Sequence, residues 1–127
     1  MARHADLWNS SGSIDALTVQ RDALRRHCEE LGRDPAEIEM TASFWPVIRD
    51  SDAEASRALD RLLEHNRIGL EGRDDEAWWV GTPQRIADGM RERVALGFRT
   101  FIAEIAAPYD AETLERWIKE VRPAVEG

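Results

Sequence analysis

Helix and strand signals alternate along this chain of 127 residues, and this alternation limits the folds it can adopt more than any other feature. Apolar residues recur at helical spacing in four stretches, each of which begins with a capping residue. The predicted helices span residues 13–31, 51–65, 82–97 and 110–123, and Pro123 is expected to end the last of them. Strands that are joined through helices run parallel, so the order predicts an α/β fold built from βα units.

Two β-prone stretches, residues 38–44 and 98–105, lie between the helices, and a short third stretch at residues 5–8 leads in. The first is expected to end before Pro46, because proline cannot donate to a strand ladder. Residues 100–103 are apolar on both faces, as in a parallel strand covered by helices. Two or three parallel strands leave long unpaired edges. Either another chain completes the sheet, or the sequence is the last part of a larger α/β protein.

Composition excludes several classes of function. The 25 acidic and 17 basic side chains give a net charge of -8, which opposes a phosphate-tracking surface, so no nucleic acid partner is expected. No apolar run reaches the roughly 20 residues of a membrane span, and the first residues do not resemble a signal peptide, which is typical of a cytoplasmic protein. The single cysteine, Cys28, and three histidines without ligand spacing predict no metal site.

Residues 66–80 break the helical periodicity and are predicted to form a long loop. The segment contains Gly69 and Gly72, the acidic run of residues 74–76, and the adjacent pair Trp78 and Trp79. Neighbouring side chains of an extended chain point to opposite sides, so one indole is expected to be buried and the other more exposed. The alternative is that both indoles pack against the outside of the helical layer.

Four short motifs occur in an order that resembles a known family. They are Ala5-Asp6-Leu7-Trp8-Asn9 before a helix, Cys28 with the connector Gly32-Arg33-Asp34-Pro35, Gly81-Thr82-Pro83, and Val121-Arg122-Pro123. Together they resemble the C-terminal segment of the luciferase-like monooxygenases, (β/α)8 enzymes that use a flavin or a deazaflavin coenzyme. The resemblance implies that residues 1–127 form one partial-barrel domain, from the end of strand six to the last helix of a TIM barrel, with two to three parallel strands.

The implied function is an oxidoreductase that acts on a small molecule. In the full family, reduced FMN activates oxygen for monooxygenation, or the deazaflavin coenzyme exchanges a hydride with a substrate. The family's glycine-rich turn before the Ala-Asp-x-Trp-Asn motif has no counterpart here, so this chain alone is expected to be inactive and to bind the coenzyme weakly. The alternative is a non-catalytic α/β module that self-assembles or binds a partner through open sheet edges. In either case a homo-oligomer is expected.

Active sites of this fold lie at the carboxyl ends of the strands, which selects five residues. Trp8 and Asn9 are candidate cofactor contacts, and Phe44, Trp45 and Glu104 are candidates for the substrate pocket. Trp8 is also typical of a core residue, and Asn9 of a turn. Trp45 either lines the pocket or packs against the following helix. No catalytic residue is identified.

The sequence predicts the surroundings of two titratable side chains, Glu104 and His27. Glu104 lies in an apolar strand, where a carboxylate needs a partner. It is expected to pair with Arg99 or Arg49, the alternative being that it points into the barrel mouth. His27 is expected to pack on the inner face of the first helix beside Cys28.

Overall fold

The computed structural model describes residues 1–69, 71–72 and 75–127. Within these residues four parallel strands form one sheet. The strands are β1 (Leu7–Ser10), β2 (Glu39–Ile48), β3 (Trp78–Gly81) and β4 (Thr100–Ala103). The helices are α1 (Ile14–Glu30), α2 (Asp52–His65), α3 (Pro83–Leu96), α4 (Ala111–Arg116) and α5 (Arg122–Glu126). The predicted α/β class is confirmed, with one strand more than expected.

The helix starts lie where the capping residues predict them. The side chains of Ser13, Ser51, Thr82 and Asp110 each accept a hydrogen bond from the backbone N–H three residues later. Such a bond satisfies one of the donors that the first helical turn leaves free. At the other end of α3, Gly97 adopts φ 108°, a left-handed conformation that glycine reaches without steric strain.

Strand β2 is the centre of the sheet and carries partners on both edges. The N–H group of Glu39 donates to the carbonyl of residue 6, next to β1. The N–H groups of Trp45 and Arg49 donate to the carbonyls of residue 77, just before β3, and residue 81, at its end. The Phe44 carbonyl instead accepts from the N–H of Glu104, which follows β4. Residues two apart along a strand present their backbone groups to the same edge. Strands β1 and β3 therefore share one edge of β2, and β4 pairs with the other.

The strand predicted over residues 38–44 was expected to end before Pro46. This was wrong, because β2 continues through Pro46 to Ile48. Phe44 pairs with Ala103, the last residue of β4, so Pro46 lies on an edge that β4 does not reach. Its missing N–H therefore costs no ladder hydrogen bond. The next N–H on this edge, that of Ile48, donates to the Thr113 hydroxyl at 2.9 Å.

Thr113 joins the end of β2 to the start of α4. Its fully buried hydroxyl donates to Asp110 at 2.7 Å and accepts from Arg49 at 3.1 Å, and Arg49 also contacts Asp110 at 3.0 Å. Burial raises the pKa of Asp110, but the hydrogen bonds from Thr113 and Arg49 outweigh it and hold that pKa below its ordinary value. This carboxylate stabilises the fold above the ordinary Asp pKa, and the contribution is lost as the pH falls through the lowered value.

Replacing Thr113 by valine is expected to lower the free energy of unfolding by about 1–3 kcal/mol. Valine has nearly the same shape but leaves the N–H of Ile48 without an acceptor. Denaturant unfolding measures the effect. The matched control is Thr18→Val, because the half-buried Thr18 hydroxyl only donates to the Ile14 carbonyl within α1. Equal losses of stability in the two variants would contradict the role assigned to Thr113.

Helices cover most of one face of the sheet and part of the other face. On the first face, Trp8, Ala42 and Phe98 pack against Leu17, Leu24 and Cys28 of α1, and a second cluster joins Phe44 and Trp79 to α3 and Val121. On the opposite face, Val47 packs against α2 through Ala58, Leu59, Leu62 and Leu63. Helix α2 therefore covers only the carboxyl half of β2.

Three further expectations differ from the structure. Residues 66–80 contain the first three residues of strand β3 in addition to irregular backbone, and Asp74 of the acidic run lies outside the described residues. Pro123 does not end the last helix. It lies in the first turn of α5, after a π-helical turn (Trp117–Val121), where its missing N–H is tolerated. The His27 side chain is 57% exposed and contacts Glu30 at 3.1 Å, so it is not a core residue.

None of the helices in the described residues combines the length and the apolar character that a membrane span requires.

Candidate functional site

The candidate site lies on the part of the sheet that α2 leaves uncovered, which we call the open face. Because side chains alternate along a strand, the odd-numbered residues at the start of β2 project to the side opposite α1 and α3. The open face comprises the accessible residues Leu7, Asn9, Ser43, Trp45, Thr100, Ile102 and Glu104, together with Thr41, which is only 1% exposed. In a closed barrel this is the face that points inward.

A row of polar side chains crosses the open face from β1 to β2. The Thr41 hydroxyl donates to Asn9 Oδ1 at 2.8 Å, and Asn9 Nδ2 donates to the Ser43 hydroxyl at 3.3 Å. Asn9 thus lies in a strand and not in a turn, with its amide oriented by two neighbours. Sequence reasoning missed Thr41 and Ser43. The signal for them was their alternation with the apolar residues Ala42 and Phe44, which places the polar side chains on one face.

Trp45, Trp78 and Glu104 meet at the carboxyl end of the open face, and we call them the tryptophan–glutamate cluster. The Trp45 indole N–H donates to Glu104 Oε2 at 2.8 Å. The rings of Trp45 and Trp78 are 4.7 Å apart between centroids and cross at 82°, an edge-to-face contact. The strand register explains why these side chains are neighbours. Trp45 pairs directly with Trp78, and β4 ends at Ala103, the partner of Phe44, just before Glu104.

Among the described residues Glu104 forms no ion pair with Arg99 or Arg49, so the expected pairing was wrong, and its exposed position agrees with the alternative of a side chain at the mouth of the sheet. Arg49 instead contacts Asp110 at 3.0 Å and Glu112 at 3.2 Å, on the far side of the β2 end. The carboxylate of Glu104 is exposed at the mouth of the sheet, so solvent and one indole N–H satisfy it without a cation. Trp45 thereby has a defined polar contact, which packing against α2 alone would not supply.

Trp8 and Phe44, the other two predicted site residues, point to the helix-covered face. Trp8 is 6% exposed and its ring centroid lies 5.6 Å from that of Phe98. Phe44 is fully buried and stacks on Trp79 at 4.0 Å. The structure therefore brings Asn9, Trp45 and Glu104 to the open face and leaves Trp8 and Phe44 in the core, as the two-residue period of a strand requires.

A buried arginine that the sequence did not reveal organises the loop after β1. The Arg93 guanidinium lies 4.2 Å from the Trp79 ring centroid and donates to the carbonyls of Gly12 at 2.9 Å and Gly89 at 3.0 Å. Burial lowers the pKa of Arg93, although the nearby carboxylates act in the opposite direction. Trp79 is 8% exposed and Trp78 is half-buried, which confirms the prediction that the two indoles differ.

The same loop shows whether a coenzyme phosphate fits these residues. In α/β folds the backbone N–H groups at a helix N-terminus hold phosphates, and α1 begins directly after the carboxyl end of β1. Here the N–H of Ser13, the N-cap of α1, donates to the carboxylate of Glu76 at 3.0 Å, and the N–H of Ala16 donates to the Ser13 hydroxyl. Since a negative charge already occupies this helix end, the described residues do not fit the phosphate of FMN or of a deazaflavin coenzyme.

Comparisons with known proteins bear on the fold. No protein-family model matches the chain, and no match was found among curated proteins. Among solved structures, a long-chain alkane monooxygenase matches with a TM-score of 0.71 and 22% identity, over 98% of this chain and 37% of that chain. A riboflavin lyase matches with a TM-score of 0.71 and 18% identity, over 98% of this chain and 39% of the lyase chain. The coenzyme F420-dependent tetrahydromethanopterin reductase from Methanopyrus kandleri matches with a TM-score of 0.67 and 18% identity, over 96% of this chain and 46% of the reductase chain.

These similar structures are luciferase-like flavin- or F420-dependent enzymes, so the resemblance predicted from the sequence motifs is confirmed at the level of the fold. The parallel sheet and its helices match part of the luciferase-like TIM barrel. The chain spans 37–46% of the length of these three structures.

Proposed function

We propose that this chain forms the C-terminal part of a luciferase-like oxidoreductase, from the end of strand six to the last helix, that uses FMN or a deazaflavin coenzyme on a small-molecule substrate. The observation that carries the proposal is the open face. It presents hydrogen-bonded polar and aromatic side chains on the side that a closed barrel turns inward. The match to three such enzymes over 96–98% of the chain supports it. The alternative of a non-catalytic module has no comparable support.

In this proposal the chain supplies pocket shape and orientation, and the coenzyme supplies the redox chemistry when bound. Asn9 is the residue assigned to the polar edge of the coenzyme ring, because its amide is held in place by Thr41 and Ser43. Trp45 and Glu104 form a wall of the substrate pocket. The phosphate contacts are assigned to parts of the barrel outside these 127 residues, since Glu76 occupies the start of α1.

The coding sequence directly upstream of Met1 tests this proposal. We expect it to encode, in frame, a glycine-rich turn before Ala5 and five βα units. The protein expressed from that longer reading frame is expected to bind FMN or a deazaflavin coenzyme, detected by its absorbance, and Asn9→Ala should weaken this binding by about tenfold. An in-frame stop codon just before Met1, or a longer protein that binds neither coenzyme, would refute the assignment.

The isolated chain is expected to form homo-oligomers. In the described residues, β1 and β4 each pair only with β2, so one edge of each strand is open, and Leu7 of β1 is 51% exposed. Light scattering is expected to give a mass above 14.5 kDa at micromolar concentration, and Leu7→Lys should reduce it. A monomer that also fails to bind an apolar dye would show that the edges do not drive association.

A further inference from the structure

We propose that the tryptophan–glutamate cluster, Trp45, Trp78 and Glu104, is a binding site for a protonated amine carried on an apolar group. The site needs no coenzyme. It is a property of this chain itself, so its test is independent of the proposed oxidoreductase function.

The carboxylate of Glu104 is oriented but not neutralised. Its Oε2 accepts the indole N–H of Trp45 at 2.8 Å, which restricts the rotamers of both side chains. Among the described residues, no lysine, arginine or histidine forms an ion pair with Glu104, and its Oε1 has no hydrogen-bond partner. A fixed carboxylate with one free oxygen is an acceptor for a charged N–H donor, and such charge-assisted bonds are about twice as strong as neutral ones.

The two indoles provide the surface that favours a cation over a neutral donor. Trp45 and Trp78 cross at 82°, an edge-to-face contact that uses the edge of one ring and one face of the other, so the cation is assigned to the ring surface outside this contact. A cation within about 6 Å of an indole face is attracted by the ring quadrupole. Both rings are half-buried, which leaves part of each accessible. The net charge of -8 adds a field that favours cationic ligands.

The apolar part of the ligand is assigned to Ile102. This residue of β4 lies two positions before Glu104, which follows the strand, and it is one of the exposed large apolar side chains of the open face. An ammonium group at Glu104 would place its hydrocarbon substituent along this strand. Benzylammonium has the required combination of an N–H cation and an apolar ring, and benzyl alcohol is a neutral analogue of similar size.

The indole N–H signals in a two-dimensional ¹H–¹⁵N spectrum provide the test. The chain has five tryptophans, and the signals of Trp45 and Trp78 are assigned from the variants Trp45→Phe and Trp78→Phe. Titration of the wild-type chain with benzylammonium at pH 7 is expected to move these two signals together, with a dissociation constant on the order of 1 mM. Benzyl alcohol is expected to cause no saturable shift.

Glu104→Gln is expected to weaken benzylammonium binding by at least about tenfold, because it keeps an acceptor but removes the charge. The matched control is Glu29→Gln, which makes the same change at an exposed carboxylate on α1 and should leave binding unchanged. Trp45→Phe, read through the Trp78 signal, should also weaken binding, since it releases the carboxylate. Equal shifts with benzyl alcohol, unchanged affinity in both site variants, or shifts confined to other tryptophans would overturn the proposal.

Discussion

Free FMN and deazaflavin coenzyme are expected to bind this chain with dissociation constants above about 1 mM, at least a thousandfold weaker than a micromolar site. A phosphate cradle contributes several charge-assisted hydrogen bonds of about 1.5–3 kcal/mol each. In this chain the N–H of Ser13, the N-cap of α1, donates to the carboxylate of Glu76 instead. Calorimetry or quenching of the flavin fluorescence measures the affinity, and a dissociation constant in the low micromolar range would contradict the expectation.

Riboflavin is the matched ligand for this experiment, because it differs from FMN only in lacking the phosphate. If the phosphate makes no contact, the two ligands should bind equally weakly. The matched variant is Glu76→Gln, which removes the negative charge from the start of α1 and should improve FMN binding without affecting riboflavin. FMN binding that is tenfold or more tighter than riboflavin binding in the wild-type chain would show that a phosphate site exists.

Phe44→Ala is expected to lower the free energy of unfolding by about 3–5 kcal/mol. Phe44 is fully buried, stacks on Trp79 at 4.0 Å and lies 5.0 Å from the Trp117 ring, so its removal opens a cavity between the sheet and the last helices. Urea unfolding followed by tryptophan fluorescence measures the loss. For a domain of this size such a loss is a large part of the total stability.

The control for this variant is Tyr109→Ala, which also removes an aromatic ring, from a side chain that is 82% exposed. Its effect should stay within about 0.5 kcal/mol. Comparable destabilisation by the two substitutions would mean that Phe44 does not anchor the core in the way described.

The helix starts were predictable because their causes are local. Ser13, Ser51, Thr82 and Asp110 each bond to an N–H only three residues away, so four neighbouring residues contain the whole interaction. The apolar stripe of α2 was predictable for the same reason. Its buried residues Ala55, Ala58, Leu59, Leu62 and Leu63 recur at helical spacing.

The candidate site was predictable only in part. Trp45 and Glu104 were selected because they follow or end strands, and the structure brings them together on the open face. The hydrogen bond between them was not predictable, because 59 residues separate Trp45 from Glu104 along the chain and their contact depends on the register of β2 against β4. The choice of Arg49 as partner failed for this reason. Its position is set by Thr113 and Asp110 of a different element.

Local sequence thus determined the class of fold, the starts of the helices and the alternation of polar and apolar residues along each strand, since propensity, capping and periodicity act within a few residues. The sheet decided the rest. Pro46 is expected from the sequence to end the strand. In the structure the strand continues, because no strand faces the edge where the N–H of Pro46 is missing. Trp78 and Trp79 form a strand, not a loop, because β2 offers an unpaired edge beyond the end of β1. A hydrogen-bonding edge exists only once neighbouring strands have taken their register, and no short stretch of sequence contains that information.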